Sequence, residues 1–246
     1  MRATTRAALL LARATYEAST FVARSRRLAL PAARLRGHGV LVSTPGVEVL
    51  IEGYPRSANS FTVAAFARAQ HWPGSGGGRI AHHTHAPAHV LEAIRRRVPA
   101  IVLIRDPAEA VLEFVLVKPD LTVRQALRGY VRFYEPLLPH RDGFVVGPFE
   151  EVTTDLGRVI LRLNERFGTS FRPFEHTASE REQAEADADR SWARRTGPGI
   201  PILGRGGGTR STPIAPERLR ADYEDPLLER LRGRARTAFE LLASGA

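Results

Sequence analysis

Apolar positions along the chain fall into short dense runs and longer stretches with helical spacing. Val47 to Ile51 shows little alternation, the pattern of a parallel strand buried on both faces. Ala100 to Ile104 reads as a second strand of that kind, with shorter ones at Ile80 to His83 and Gly143 to Val146. Between them lie helices. Ala58 to Ala69 follows the first strand. Pro87, at the favoured first helical position, opens a helix through Val90, Leu91 and Ile94 to Arg97. Asp106, Pro107 and Glu109 supply a cap, a first-position proline and an acid, so a further helix begins there. Leu121 to Tyr134, Asp155 to Phe167, an acidic stretch from Ser179 to Arg194, and Pro226 to Leu242 complete the helical set. "HWPGSGGGR", residues 71–79, and the Gly/Pro/Arg-rich stretch Thr196 to Pro213 read as loops. Strands alternating with helices predict an α/β domain of three layers, a central mainly parallel sheet flanked by helices.

At 246 residues and 43% hydrophobic content, one domain with a short extension and a sizeable core is expected. The formal charge is +10, which points to nucleic acid or an anionic membrane only if the charge is organised. Lys118 is the sole lysine; arginines occur throughout, and no motif interleaves them with aromatics as a nucleic-acid binder would. No nucleic-acid partner is therefore expected. Cysteine is absent, which removes disulfides, thiolate metal sites and thiol nucleophiles and fits a cytoplasmic setting. Near the N-terminus, Ala7 to Ala12 is followed by Arg13, Arg24, Arg26 and Arg27. That run is too short and the surroundings too charged for a membrane span or a signal peptide. It reads as a basic amphipathic helix, docked either on its own domain or on a membrane surface or partner. A connector, Gly37 to Gly46, follows it and contains the apolar run Val40 to Val42.

The candidate chemistry begins where the first strand ends, at "VLIEGYPRSANSF", Val49 to Phe61. Against the nucleotide-binding P-loop, Gly53 takes the first place and Ser60 the eighth. Ala58 stands in place of the second glycine and Asn59 in place of the lysine. Strand, loop and helix N-terminus can still hold an anion through backbone N–H groups, with Arg56 as the cation. An ordinary turn with Ser57 capping the helix is the alternative.

"YPRSANSF" resembles the loop with which sulfotransferases bind the 5′-phosphosulfate of 3′-phosphoadenylyl sulfate (PAPS). Pro55, Arg56, Ser57, Asn59, Ser60 and Phe61 fit that pattern, and Ala58 replaces its usual glycine. "AIVLIRDPAEAVL", Ala100 to Leu112, resembles the family's second nucleotide segment, in which Arg105 would contact the 3′-phosphate. Independently, an arginine at the carboxyl end of a buried strand sits where α/β sheets bind ligands.

In "AHHTHAPAHV", Thr84-His85 matches the family's Thr-His pair, with His83 in the place of its lysine; the resemblance makes His85 the catalytic base. A histidine suits proton removal at neutral pH. A metal site among His82, His83, His85 and His89 is the competing reading, weakened by Pro87 and by the lack of an evident acid nearby. "FVVGPFEEV" is similar to the family's strand before a paired-acid helix start at Glu150 and Glu151. "GRGGGTRSTPIAPERL" loosely resembles the segment that closes over the 3′-phosphate, with Arg205, Gly206 and Gly208 as candidates.

One departure is chemical. The family's serine eight residues after the second arginine is here Glu113. A carboxylate against a phosphate would be repelled by roughly several kcal/mol if both were desolvated and unpaired. Either the helix turns Glu113 away, or the 3′ end of the cofactor is read differently.

A basic helical extension and connector over residues 1–45 lies outside the resemblance, which implies a sulfotransferase-like domain with a P-loop-like fold over 46–246. The expected activity is sulfuryl transfer from PAPS, without metal, to a hydroxyl or amine of a small-molecule, carbohydrate or glycolipid acceptor. The expected site is His85 and Arg56 for catalysis, with Arg56, Ser57, Ala58, Asn59, Ser60, Phe61, Arg105, Arg205 and Gly206 for the cofactor. A P-loop phosphotransferase, with Asp106 holding magnesium, and a catalytically silent nucleotide-binding homologue are the other readings.

Overall fold

The computed structural model describes residues 3–35, 40–74, 76–196 and 217–244. Four strands, β1 (Val49–Gly53), β2 (Ile80–His82), β3 (Ala100–Ile104) and β4 (Val145–Pro148), pair in the order β2-β1-β3-β4, every pair parallel. β1 and β3 are buried at every position, as their unbroken apolar runs require. Their side chains alternate between two cores. Val49, Ile51, Ile101 and Leu103 face one, with α3 (Asn59–Ala69) and α8 (Leu156–Phe167). Leu50, Val102 and Ile104 face the other, with α4 (Pro87–Arg96), α5 (Pro107–Val117) and α6 (Val123–Tyr134). The result is an α/β fold of three layers.

Elements differ from the expectation mainly at their ends, for local reasons. α6 starts at Val123 because Thr122 caps it. The Thr122 hydroxyl accepts the Gln125 N–H at 3.2 Å, while Gln125 Oε1 accepts the Thr122 N–H at 3.2 Å. Residues 135–143 coil as a 3₁₀ helix, so β4 begins two residues later than expected. α7 (Phe149–Thr154) carries Glu150 and Glu151 in its first turn, as expected. The acidic stretch forms α9 (Ala178–Thr196) and is tied to α3 by Arg68, which reaches Glu180 at 3.1 Å and Asp187 at 3.2 Å. After α10 (Glu217–Glu224), the expected terminal helix divides into a 3₁₀ turn, Pro226–Leu228, and α11 (Glu229–Ala243).

The N-terminal region makes two helices, α1 (Ala3–Val22) and α2 (Arg26–Leu35). α1 lies on α6. Arg128 and Arg132 grip Glu17 at 2.8 and 2.5 Å, and a Cβ added at Gly129 would run into the Tyr16 hydroxyl oxygen. Glycine at 129 is what lets the two helices approach.

Two features of this topology create a site. β1 leads to α3 in one outer layer and β3 leads to α5 in the other, so the sheet's topological switch point is the crevice between their carboxyl ends. Buried tyrosines of α6 then fix the loops around it. The Tyr134 hydroxyl donates to the Leu103 carbonyl at 2.7 Å and accepts the Tyr54 N–H at 3.2 Å. The Tyr130 hydroxyl donates to the Arg105 carbonyl at 2.8 Å. Tyr134→Phe should therefore strand two buried backbone groups and cost about 2–3 kcal/mol, read as a lower urea midpoint with an unchanged denaturant slope.

Candidate functional site

The turn after β1 is shaped by close approach and left-handed backbone. A Cβ at Gly53 would lie 2.8 Å from the Leu103 carbonyl oxygen, so only glycine lets β1 pass β3 here. Arg56 (φ 72°) and Ala58 (φ 64°) are both left-handed, the region that favours glycine. Ala58 therefore keeps the glycine-like conformation at the expense of strain. α3 starts directly after it with no side-chain cap. Ser57, the cap in the alternative reading, instead faces the Tyr134 hydroxyl at 3.5 Å. Asn59 donates from Nδ2 to the Tyr54 carbonyl at 3.0 Å, and its buried Oδ1 has no hydrogen-bond partner among the described residues. The Phe61 side chain packs in the core edge-to-face on Phe174, so only its backbone N–H belongs to the turn.

Arg56 and Arg105 converge. Both guanidiniums pair with the carboxylate of Glu113, Arg56 at Oε1 and Arg105 at Oε2. Arg105 also donates from Nη1 to the Arg56 carbonyl at 3.1 Å and from Nε to Glu109 at 3.0 Å, and its Cζ lies 3.9 Å from the centroid of the Phe149 ring. Glu113 is thus turned neither away from the arginines nor towards solvent: it is their shared counter-ion. Its side chain is 5% exposed, against 7% for Arg105 and 18% for Arg56, so the triad is reached from the Arg56 side. A carboxylate buried between two guanidiniums marks the place where this fold holds negative charge.

A second buried carboxylate organises the histidine loop. Glu52 Oε1 accepts the Thr84 N–H and hydroxyl, each at 2.7 Å, and Oε2 accepts the His85 N–H at 3.1 Å. Val42 N–H donates to His89 Nε2 at 2.8 Å, so the His89 proton is on Nδ1, 3.1 Å from Glu52 Oε1. His83 and His85 have left-handed backbones (φ 59° and 49°), and the bond from its N–H to Glu52 holds His85 in place. His85 Nδ1 lies 2.7 Å from the Gly53 carbonyl, which can only accept. The proton is therefore on Nδ1, leaving Nε2 basic. Ser60 Oγ is 3.0 Å from His83 Nε2, and His83 Nδ1 is 2.6 Å from His82 Nδ1, which binds α3 to the same loop.

Arg56, Ser57, Ala58, Asn59, Ser60, Arg105 and His85 are thus gathered at the carboxyl ends of β1 and β3. Arg205, Gly206 and Gly208 lie outside the described residues. Among the described residues no cluster of three or more His, Cys, Asp or Glu could hold a metal ion. Asp106 Oδ1 accepts the Ala108 and Glu109 N–H groups at 2.8 and 3.2 Å, and so serves as the α5 cap. The sequence reading missed Glu52, whose signal was a lone acid in an otherwise apolar strand. It identified Glu113 but not its place between the arginines.

No protein-family model matches the chain, and no curated protein matches it. Among solved structures it is similar to the crystal structure of mouse sulfotransferase SULT7A1 complexed with PAP, at a TM-score of 0.45 and 12% identity, over 80% of this chain and 89% of that one.

Two outcomes follow from this geometry. Ala58→Gly should relieve the left-handed strain and raise stability by about 0.5–1 kcal/mol, measured by urea unfolding. Burial pushes the Glu52 carboxyl up, but the His89 ring and the Thr84 hydroxyl outweigh it and hold the group down at about 2, against an ordinary 4.5. A depressed folded value gives stability that is complete above 4.5 and is lost as pH falls toward 2. Glu52→Gln should be less stable at neutral pH and should lose less between those values, as read by denaturation midpoints across the range.

Proposed function

We propose that the chain is a PAPS-dependent sulfotransferase, with its nucleotide seated across the β1/β3 switch point. The observation that carries this reading is the convergence of Arg56 and Arg105, from two different loops, on one buried negative charge. The uncapped N-terminus of α3 fits a phosphosulfate group there, which its N–H donors and the Arg56 guanidinium would hold. When bound, PAPS supplies the sulfuryl group and a phosphate leaving group.

In this reading His85 Nε2 takes the proton of the attacking acceptor hydroxyl or amine, and the Gly53 carbonyl holds the ring by Nδ1. Arg56 offsets the negative charge that grows on the oxygen released from sulfur. Arg105 faces the 3′-phosphate end of the nucleotide. For that phosphate to meet the arginines, Glu113 must swing out, because one guanidinium pair cannot serve two buried anions at full strength. Asn59 in the lysine position and Asp106 committed to capping count against magnesium-dependent phosphoryl transfer. The arginine-neutralising position of Glu113 favours a second reading, a nucleotide-binding homologue with little turnover.

Calorimetry and labelled sulfate transfer separate these readings. Adenosine 3′,5′-bisphosphate should bind and ATP should not. Glu113→Ser should tighten bisphosphate binding at least ~10-fold, since a competing anion is removed. His85→Asn should retain bisphosphate binding and lower transfer by about 10²–10⁴-fold. Retention of transfer by Arg56→Ala, or ATP binding that needs magnesium, would defeat the reading. Bisphosphate binding without transfer to any acceptor class would favour the silent homologue.

A further inference from the structure

We infer that the outer faces of α1 and α2 form a docking surface for an anionic lipid bilayer. Eight arginines against one carboxylate, Glu17, place +7 of the chain's formal +10 in its first 36 residues. Glu17 is turned inward and held by Arg128 and Arg132, so no acid from this segment opposes the positive charge outside. Arg6, Arg24, Arg26 and Arg27 are exposed, and among the described residues none of them has an ion-pair partner.

The apolar surface is concentrated in the same place. Of the exposed large hydrophobic side chains among the described residues, Leu10, Leu11, Phe21, Leu28 and Leu35 all lie on α1 or α2. On α1 the exposed residues Ala7, Leu10, Leu11, Ala14, Ala18 and Phe21 fall within an arc of about 100° at 3.6 residues per turn, a stripe without a polar side chain. Tyr16, Glu17 and Thr20 occupy the side that meets α6. On α2 the exposed Leu28, Pro31 and Leu35 keep the i, i+3, i+7 spacing of one face, bordered by Arg27 and Arg34, while Ala29 and Ala33 are buried, Ala29 beside Ala86 and Ala88.

An apolar stripe with an arginine border is what an interfacial helix presents: side chains that enter the acyl boundary, and guanidiniums at headgroup level. A protein partner would need an acidic, apolar groove of matching length, whereas an anionic bilayer supplies both features over any length. No described helix is long and apolar enough to cross a membrane, which leaves surface attachment as the mode. The inference is independent of the chemistry at the switch point.

Sedimentation with vesicles tests it on the full chain. The protein should pellet with phosphatidylcholine vesicles containing about a third phosphatidylserine, remain in solution with pure phosphatidylcholine, and be released by added salt. The triple variant Arg24→Gln/Arg26→Gln/Arg27→Gln should weaken partitioning on the order of 100-fold, at about fivefold per arginine. Leu10→Ser/Phe21→Ser should weaken it at least ~10-fold with unchanged circular dichroism. A Phe21→Trp protein, which keeps a large apolar side chain there, should shift its emission to the blue when the mixed vesicles are added. The proposal is overturned if the wild-type chain stays in solution with the mixed vesicles, or if the variants pellet as it does. It is also overturned if the chain is a dimer that Leu10→Ser/Phe21→Ser dissociates, because the stripe would then be a contact between copies.

Discussion

The Glu113 carboxylate between Arg56 and Arg105 is the interaction on which the crevice at the carboxyl ends of β1 and β3 depends. Two guanidiniums at the tips of adjacent parallel strands would repel one another in a poorly solvated crevice. With Glu113 between them, repulsion becomes a chain of charge-assisted hydrogen bonds that closes the loop after β1 onto the loop after β3. In the proposed reading, an anion bound there would displace or join a carboxylate already in place.

A second buried carboxylate does for the histidine loop what Glu113 does for the arginines. Glu52 gathers backbone and side-chain donors from Thr84, His85 and His89, in a loop where His83 and His85 have left-handed backbone conformations. Strain of this kind, together with that at Ala58 and Arg56, is concentrated around one crevice, where a surrounding network over-determines it. The tyrosines of α6 make that network rigid by bonding the carbonyls and amides at the strand ends. Catalytic geometry of the proposed kind needs such rigidity, because alignment supplies much of the rate in group transfer.

The amino-terminal helices obey a different logic. The inner face of α1 is polar and specific, with Glu17 between two arginines of α6, and that of α2 buries Ala29 and Ala33. Their outer face is apolar and generic, with arginines along its border. A helix that keeps its charged contacts for its own domain and turns its leucines outward can dock on two surfaces at once.

Patterns of the chain alone were enough to determine the layered α/β architecture, because burial on both faces leaves parallel strands with no polar alternation to disguise them. The cap at Asp106, the first-position prolines and the positions of Arg56 and Arg105 at strand ends are equally local, and each stands where its spacing placed it. What tertiary structure decided are the partners. Glu113 lies 57 residues from Arg56, and Glu52 lies 33 from His85. Neither separation has a period, so neither pairing could be read from the chain. The side of α5 that turns to the crevice, the hand of the backbone at Ala58 and the docking of α1 are set by packing between layers. A linear pattern records which residues are buried, but not which buried charges meet.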